Sequence, residues 1–217
     1  MEQFTSFIDL INHFADKLNY EQSSWYKGYK NTHQQVMANP TSDASLELLW
    51  YTRDNSVSSL KQGAPSSKEF QEAKEVFSEI SKLITQSPNE ETYKLVQNKL
   101  KQAKQNGVVS KMYWALLNRA FAAVAPERVT STVDADSFKM VVNYINKQFG
   151  FDVNLDGNWF ENNIRFKEAI AKQLPEGTNP YYVNMAVWHT CDQLAKDAQE
   201  AKEKKQNNKT NKISEPS

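Results

Sequence analysis

One spacing runs through the whole chain. Phe4, Phe7, Ile8, Ile11, Phe14, Ala15 and Leu18 recur at i, i+3, i+4 and i+7. The same period returns in Phe70, Ala73, Val76, Phe77, Ile80, Leu83 and Ile84, and again in Phe138, Val141, Val142, Ile145 and Phe149. This pattern puts apolar side chains on one face of a helix, and no set of segments alternates with the period of two that a sheet needs. The chain therefore reads as an all-α, irregular domain of about eight or nine helices.

Local signals punctuate these helices. The first spans about residues 2–19. Ser23 and Ser24 are caps for a second, closed by Asn39-Pro40, and Asp43 starts a third bearing Leu46, Leu49 and Trp50. Ser66 with Glu69 reads as a capping box. Residues 87–92 form a turn and a new start, and Gly107 ends that helix. Ser110 is the expected cap of the most apolar helix, which Pro126 terminates. "RVTSTV" (128–133) is an extended connection without sheet partners. Asp134 caps a helix ended by Gly150, Asn158 and Glu161 mark another start, and Pro180 takes the first position of the last. That helix runs toward residue 205. From Lys196 the apolar residues stop, so 1–195 is the expected domain and 196–217 a fraying helix and linker. Subdivision is expected, if anywhere, near 40–65 and 126–134.

Charge limits the partners. Lys+Arg and Asp+Glu both number 26, so only a local patch can attract an anionic partner. Arginine is scarce: Arg53, Arg119, Arg128 and Arg165 stand against 22 lysines. The single Cys191 excludes an internal disulfide and a multi-cysteine zinc site. The N-terminus lacks a signal-peptide pattern, and no run of 18 apolar residues would span a membrane. These features imply a soluble, cytoplasmic protein.

No phosphate-binding glycine loop, zinc-protease helix or nucleophile elbow is present. His13, His33 and His189 lie on separate segments without a carboxylate or second histidine at metal spacing. Asp152, Asn154, Asp156 and Gly157 match the front of a calcium loop, but position 12 is Asn163, where a glutamate is needed. A turn followed by an Asn158 cap is the competing reading. The expectation is a chain with no catalytic residues, metal or cofactor. Aromatic residues interleave with lysine at Trp25-Tyr26-Lys27-Gly28-Tyr29-Lys30, which suits nucleic acid or simply a half-buried helix. Trp114, Phe121 and Trp188 sit on apolar faces and are expected in the core. Arg119, in the most apolar helix, must be paired, with Asp54, Asp134 or Asp136 as partner.

The stretch "WYTRDNSVSSLKQGAPSSKEF" breaks the helical pattern between Trp50 and Phe70. Arg53, Asn55, Lys61 and Gln62 are donors of the type that contact a DNA backbone, and Lys27 and Lys30 join them as candidates. The same loop can instead clamp two helices, with Asp54 and Asn55 capping neighbouring helix ends.

Three stretches in order, "RDNSVSSLKQGAPSSKEF", "LLNRAFAAVAPERVTSTVD" and "GNWFENNIRFKEAI" followed by "NPYYVNMAVWHT", resemble the helical region upstream of the motor in McrB-like proteins, the GTP-driven subunits of modification-dependent restriction systems. The resemblance covers roughly Leu46 to Thr190. It implies a non-catalytic module that targets duplex DNA and partners an AAA+ motor or nuclease subunit. Ser56 departs from it, standing where the pattern has a turn glycine. The chain also lacks the mixed α/β scaffold of the methylcytosine readers. A helical adaptor that positions a partner without touching DNA is the alternative. A pocket converging on His33 or His189 would favour an enzyme instead.

Overall fold

A computed structural model describes residues 3–60 and 63–213, with side chains to residue 207. Lys61 and Gln62 lie outside the described residues. Ten α-helices follow in order: α1 (Phe7–Lys17), α2 (Ser24–Ala38), α3 (Asp43–Trp50), α4 (Ser67–Glu72), α5 (Lys74–Gln86), α6 (Glu90–Gln105), α7 (Trp114–Val124), α8 (Ala135–Phe149), α9 (Trp159–Ala171) and α10 (Pro180–Ile213). A short 3-10 turn, Tyr20–Gln22, joins α1 to α2. Among the described residues the one extended pairing is an isolated bridge, Asp54 with Ser59.

Most of the caps form as the sequence implies. Ser23, Ser42, Ser66, Asn89, Asp134 and Asn158 each accept a backbone N–H in the first turn of the following helix. At Asn158 the Glu161 side chain returns the bond, completing a capping box. The box expected at Ser66 is only half made. Burial pushes the Glu69 carboxyl up, but bonds from the Ser110 N–H, the Tyr113 hydroxyl and the Ser110 hydroxyl hold it below the usual carboxylate range. Those contacts, at 2.6, 2.7 and 3.2 Å, draw Glu69 away from its own helix. Ser110 is thereby removed as a cap, and α7 begins instead at Trp114, after a left-handed Tyr113 with φ 49°. Three other boundaries differ. Helix α1 begins at Phe7, after an extended Ser6 cap, instead of near residue 2; the segment from Ser67 to Gln86 divides at Ala73; and α10 continues to Ile213, beyond residue 205.

Helix α7 is the centre of the molecule. Every residue from Leu116 to Val124 is buried, and α2, α3 and α5 pack around it. Helices α5 and α6 form an adjacent antiparallel pair, while α10 lies against α1 and α8. One apolar core draws side chains from all ten helices, from Phe7 on α1 to Val187 on α10. Trp50 stacks on Phe77 with ring centroids 4.7 Å apart, and its indole N–H donates to Ser81 Oγ. Among the described residues no helix is long and apolar enough to cross a membrane.

The connection 128–133 pairs with no strand but opens in a turn, where Arg128 is exposed, and Val129 to Thr132 are buried, which requires partners for their peptide groups. Asparagines and one tryptophan supply them. Asn163 Oδ1 accepts from the Thr130 N–H and hydroxyl. Asn118 donates to the Val133 carbonyl, Trp159 to that of Thr132, and Asn184 to those of Pro126 and Val129.

Candidate functional site

The loop after α3 is built around Arg119. This residue is 0% exposed. Its Nη1 donates to the carbonyls of Thr52 at 2.8 Å and Arg53 at 3.0 Å, and its Nη2 donates to Leu49 at 2.8 Å. Ser58 O lies 3.4 Å from Nη1. Of the expected acidic partners, Asp54 acts on Arg119 by its charge, whereas Asp134 is spent on capping α8. A fully charged fork suits this site because helix α3 ends here, and its last carbonyls carry the negative end of the helix dipole. Burial lowers the guanidinium pKa to about 10, with the Asp54 charge opposing the fall. Arg119 therefore stays protonated at neutral pH.

Asn55 completes the turn. It is 3% exposed. Its Oδ1 accepts from the Val57 and Ser58 N–H groups, and its Nδ2 donates to the Leu48 carbonyl of α3. The Asn55 carbonyl takes the Thr32 hydroxyl at 2.7 Å. Asn55 is thus a helix cap and not a group able to reach DNA. Asp54 Oδ1 accepts from the Ser56 N–H. Ser56 adopts φ 67°, the left-handed conformation that favours glycine. It also presses on α2: a Cβ on Gly28 would lie 2.1 Å from Ser56 Oγ. Over Leu48 to Leu60 the loop is a clamp between α2, α3 and α7.

The other sequence candidates divide. Lys27 and Lys30 stay on α2, where Lys27 donates to Gln22 and Lys30 lies 4.7 Å over the Tyr26 ring. Arg53 is exposed and lines a groove with Glu47, Tyr51 and Gly63. Leu60 and Gly63, which flank Lys61 and Gln62 in sequence, line a neighbouring groove of about 380 Å³ with Lys104, Lys111, Met112 and Trp114. Lys101, Gln97, Asn98 and Gln105 continue that surface along α6.

This basic face is a finding that sequence reasoning missed. Trp114, expected in the core, is 50% exposed because α7 begins at this residue and its buried stripe begins at Leu116. Trp188 is likewise 37% exposed, whereas Phe121 is fully buried. The signal for the face was available: from Thr92 to Pro126 the chain contains six Lys and Arg residues and no Asp or Glu. A net charge of zero for the whole chain hid that segregation.

Asp156 pairs with Arg165 at 2.5 Å, and Gly157 N–H donates to Asn162 Oδ1, so the calcium-like stretch is a turn. Among the described residues no cluster of three or more His, Cys, Asp or Glu could hold a metal ion. His33 Nδ1 meets the Ala123 carbonyl at 2.8 Å. Cys191 is half-buried, and burial pushes its thiol up. His189 does line a cleft, but its Nδ1 faces the Tyr20 hydroxyl at 2.6 Å and forms no nucleophile–base pair.

Fold and site together define an all-α protein with a loop clamped by arginine and a basic-aromatic face. No family of known proteins matches the chain, no curated protein is similar to it, and no solved structure resembles it.

Proposed function

We propose that this chain is a non-catalytic, DNA-contacting helical module of the kind that selects a target for a McrB-like restriction or phage-defence motor. The carrying observation is the surface where Lys101, Lys104 and Lys111, all from the acid-free stretch 92–126, surround the half-exposed Trp114. Arg53 lies on the next groove, across Gly63. Lysines beside a duplex neutralise phosphates and release counterions, and an exposed indole offers a stacking surface to an unpaired base. The order of the three resembling stretches supports the assignment to a restriction system. The left-handed Ser56, at the place of the pattern's glycine, is compatible with the same loop.

Fluorescence anisotropy tests this on duplexes with and without 5-methylcytosine and on a single strand, at low and near-physiological salt. Affinity should fall with salt at a log–log slope of about 3 if three phosphates are contacted. Lys101→Glu with Lys104→Glu and Lys111→Glu should abolish it, and Arg53→Ala should weaken it. Absence of binding at low salt would leave a second reading, a helical adaptor, for which exposed Trp114 and Leu95 are suitable anchors.

A further inference from the structure

A second concave site lies away from the basic face. It has a volume of about 330 Å³ and is lined by the start of α2 (Ser24, Trp25), by the loop (Asp54, Ser56, Ser58, Ser59) and by Trp188 and His189 of α10. Three aromatic rings meet there nearly at right angles. Trp25 and Trp188 are 5.3 Å apart at 83°, Trp25 and His189 5.1 Å apart at 72°, and Trp188 and His189 5.5 Å apart at 80°. The indole rings of Trp25 and Trp188 offer π faces here, whereas the His189 ring is stacked on Phe14 and Tyr20. Such faces attract a cation placed within about 6 Å of the ring centroid.

The polar groups agree in sign. Among the described residues Asp54 is the one carboxylate lining the cleft, and no lysine or arginine lines it. Arg119, beneath the loop, is committed to carbonyls. The Asp54 carboxylate spends one oxygen on the Ser56 N–H, which leaves the other for a further donor. Burial pushes the His189 ring down to about 4, so it is neutral at physiological pH and does not repel a cation.

We propose that this corner binds an N–H-bearing organic cation, a primary ammonium or guanidinium group, held between Trp25 and Trp188 with Asp54 as counter-ion and acceptor. A quaternary ammonium would satisfy the rings but give the Asp54 carboxylate no N–H donor. Phosphates and carboxylates are disfavoured, because the site offers them no cation. The group can belong to a free small molecule or to an arginine or lysine side chain of a peptide.

Tryptophan emission and calorimetric titration test this at 150 mM salt. The probes are n-butylguanidinium, n-butylammonium, neutral n-butanol and the capped peptide Gly-Arg-Gly. Saturable binding of either cation at least tenfold tighter than n-butanol is expected. Asp54→Asn, which keeps the oxygen that the turn uses, should weaken it at least tenfold. So should Trp188→Ala, at an exposed position. Ser59→Lys on the exposed rim places a tethered ammonium at the corner and should compete with the probe, providing a check should Trp188→Ala misfold. Tighter binding of the peptide would identify a side-chain source, and tighter binding of the free cation a small molecule. Equal binding of n-butanol and the cations, or no saturable binding of any probe, would overturn the proposal.

Discussion

Arg119 shows how a buried charge holds a loop chiefly through peptide carbonyls, with the Asp54 charge in support. Four carbonyl oxygens face its two terminal nitrogens, that of Leu49 from α3 and those of Thr52, Arg53 and Ser58 from the loop after it. Replacing it by methionine keeps the volume and leaves those acceptors buried and unpaired. Arg119→Met should therefore cost about 3–5 kcal/mol, read from urea unfolding. Arg119→Lys should recover little, since a single ammonium cannot reproduce the planar fork. An unchanged midpoint in either variant would remove the clamp from this account. The sequence showed that this arginine needed partners, because it stood in the most apolar helix. It did not show that the partners were peptide carbonyls some 60–70 positions earlier, because every residue carries a carbonyl and composition cannot single one out.

At the scale of elements, the loop and α2 fit each other through one pair of positions. Gly28 has no Cβ, and Ser56 occupies the space that a Cβ would take, with its Cβ 2.6 Å and its Oγ 2.1 Å from that point. Gly28→Ala should cost about 1–3 kcal/mol through overpacking. Ser56→Gly removes both clashing atoms and relieves a left-handed backbone, so the double variant should recover most of the loss. A double-mutant cycle by thermal unfolding measures that coupling. Helix existence and most caps were legible in the sequence, because spacing and capping residues act within a few positions. What failed was non-local. Glu69 was recruited by Ser110 and Tyr113 across the chain, and Ser110 lost its capping role. The exposure of Trp114 followed from a helix start shifted to that residue.

For the whole molecule, acid should loosen the junction where α10 meets α1 and α2. His189 stacks with Phe14 and Tyr20 and meets the Tyr20 hydroxyl. Burial lowers its pKa to about 4 from 6.5, with the Asp192 charge opposing. The unfolded chain thus binds the proton more tightly. This contribution is complete above pH 6.5 and is lost as pH falls toward 4. Discounted for partial exposure, it amounts to about 1–2 kcal/mol. His189→Gln should destabilise the protein less at pH 4.5 than at pH 7, by urea titration at both. An equal effect at the two pH values would mean that the ring does not titrate in this window. The charge pattern also belongs to this scale: balanced overall, the molecule gathers Lys101, Lys104 and Lys111 around Trp114, which bulk composition cannot reveal.

The arginine clamp also dictates an order of events on the ribosome. A chain is made from its N-terminus, and the carbonyls of Leu49, Thr52 and Arg53 exist well before residue 119 is added. Until α7 leaves the exit tunnel, Asn55 can cap Leu48, but the carbonyls of Leu49, Thr52 and Arg53 lack their guanidinium. The loop after α3 therefore stays unclamped while it waits for a single side chain. The loop, the α2 contact at Gly28 and the aromatic corner beyond them acquire their shape together and late.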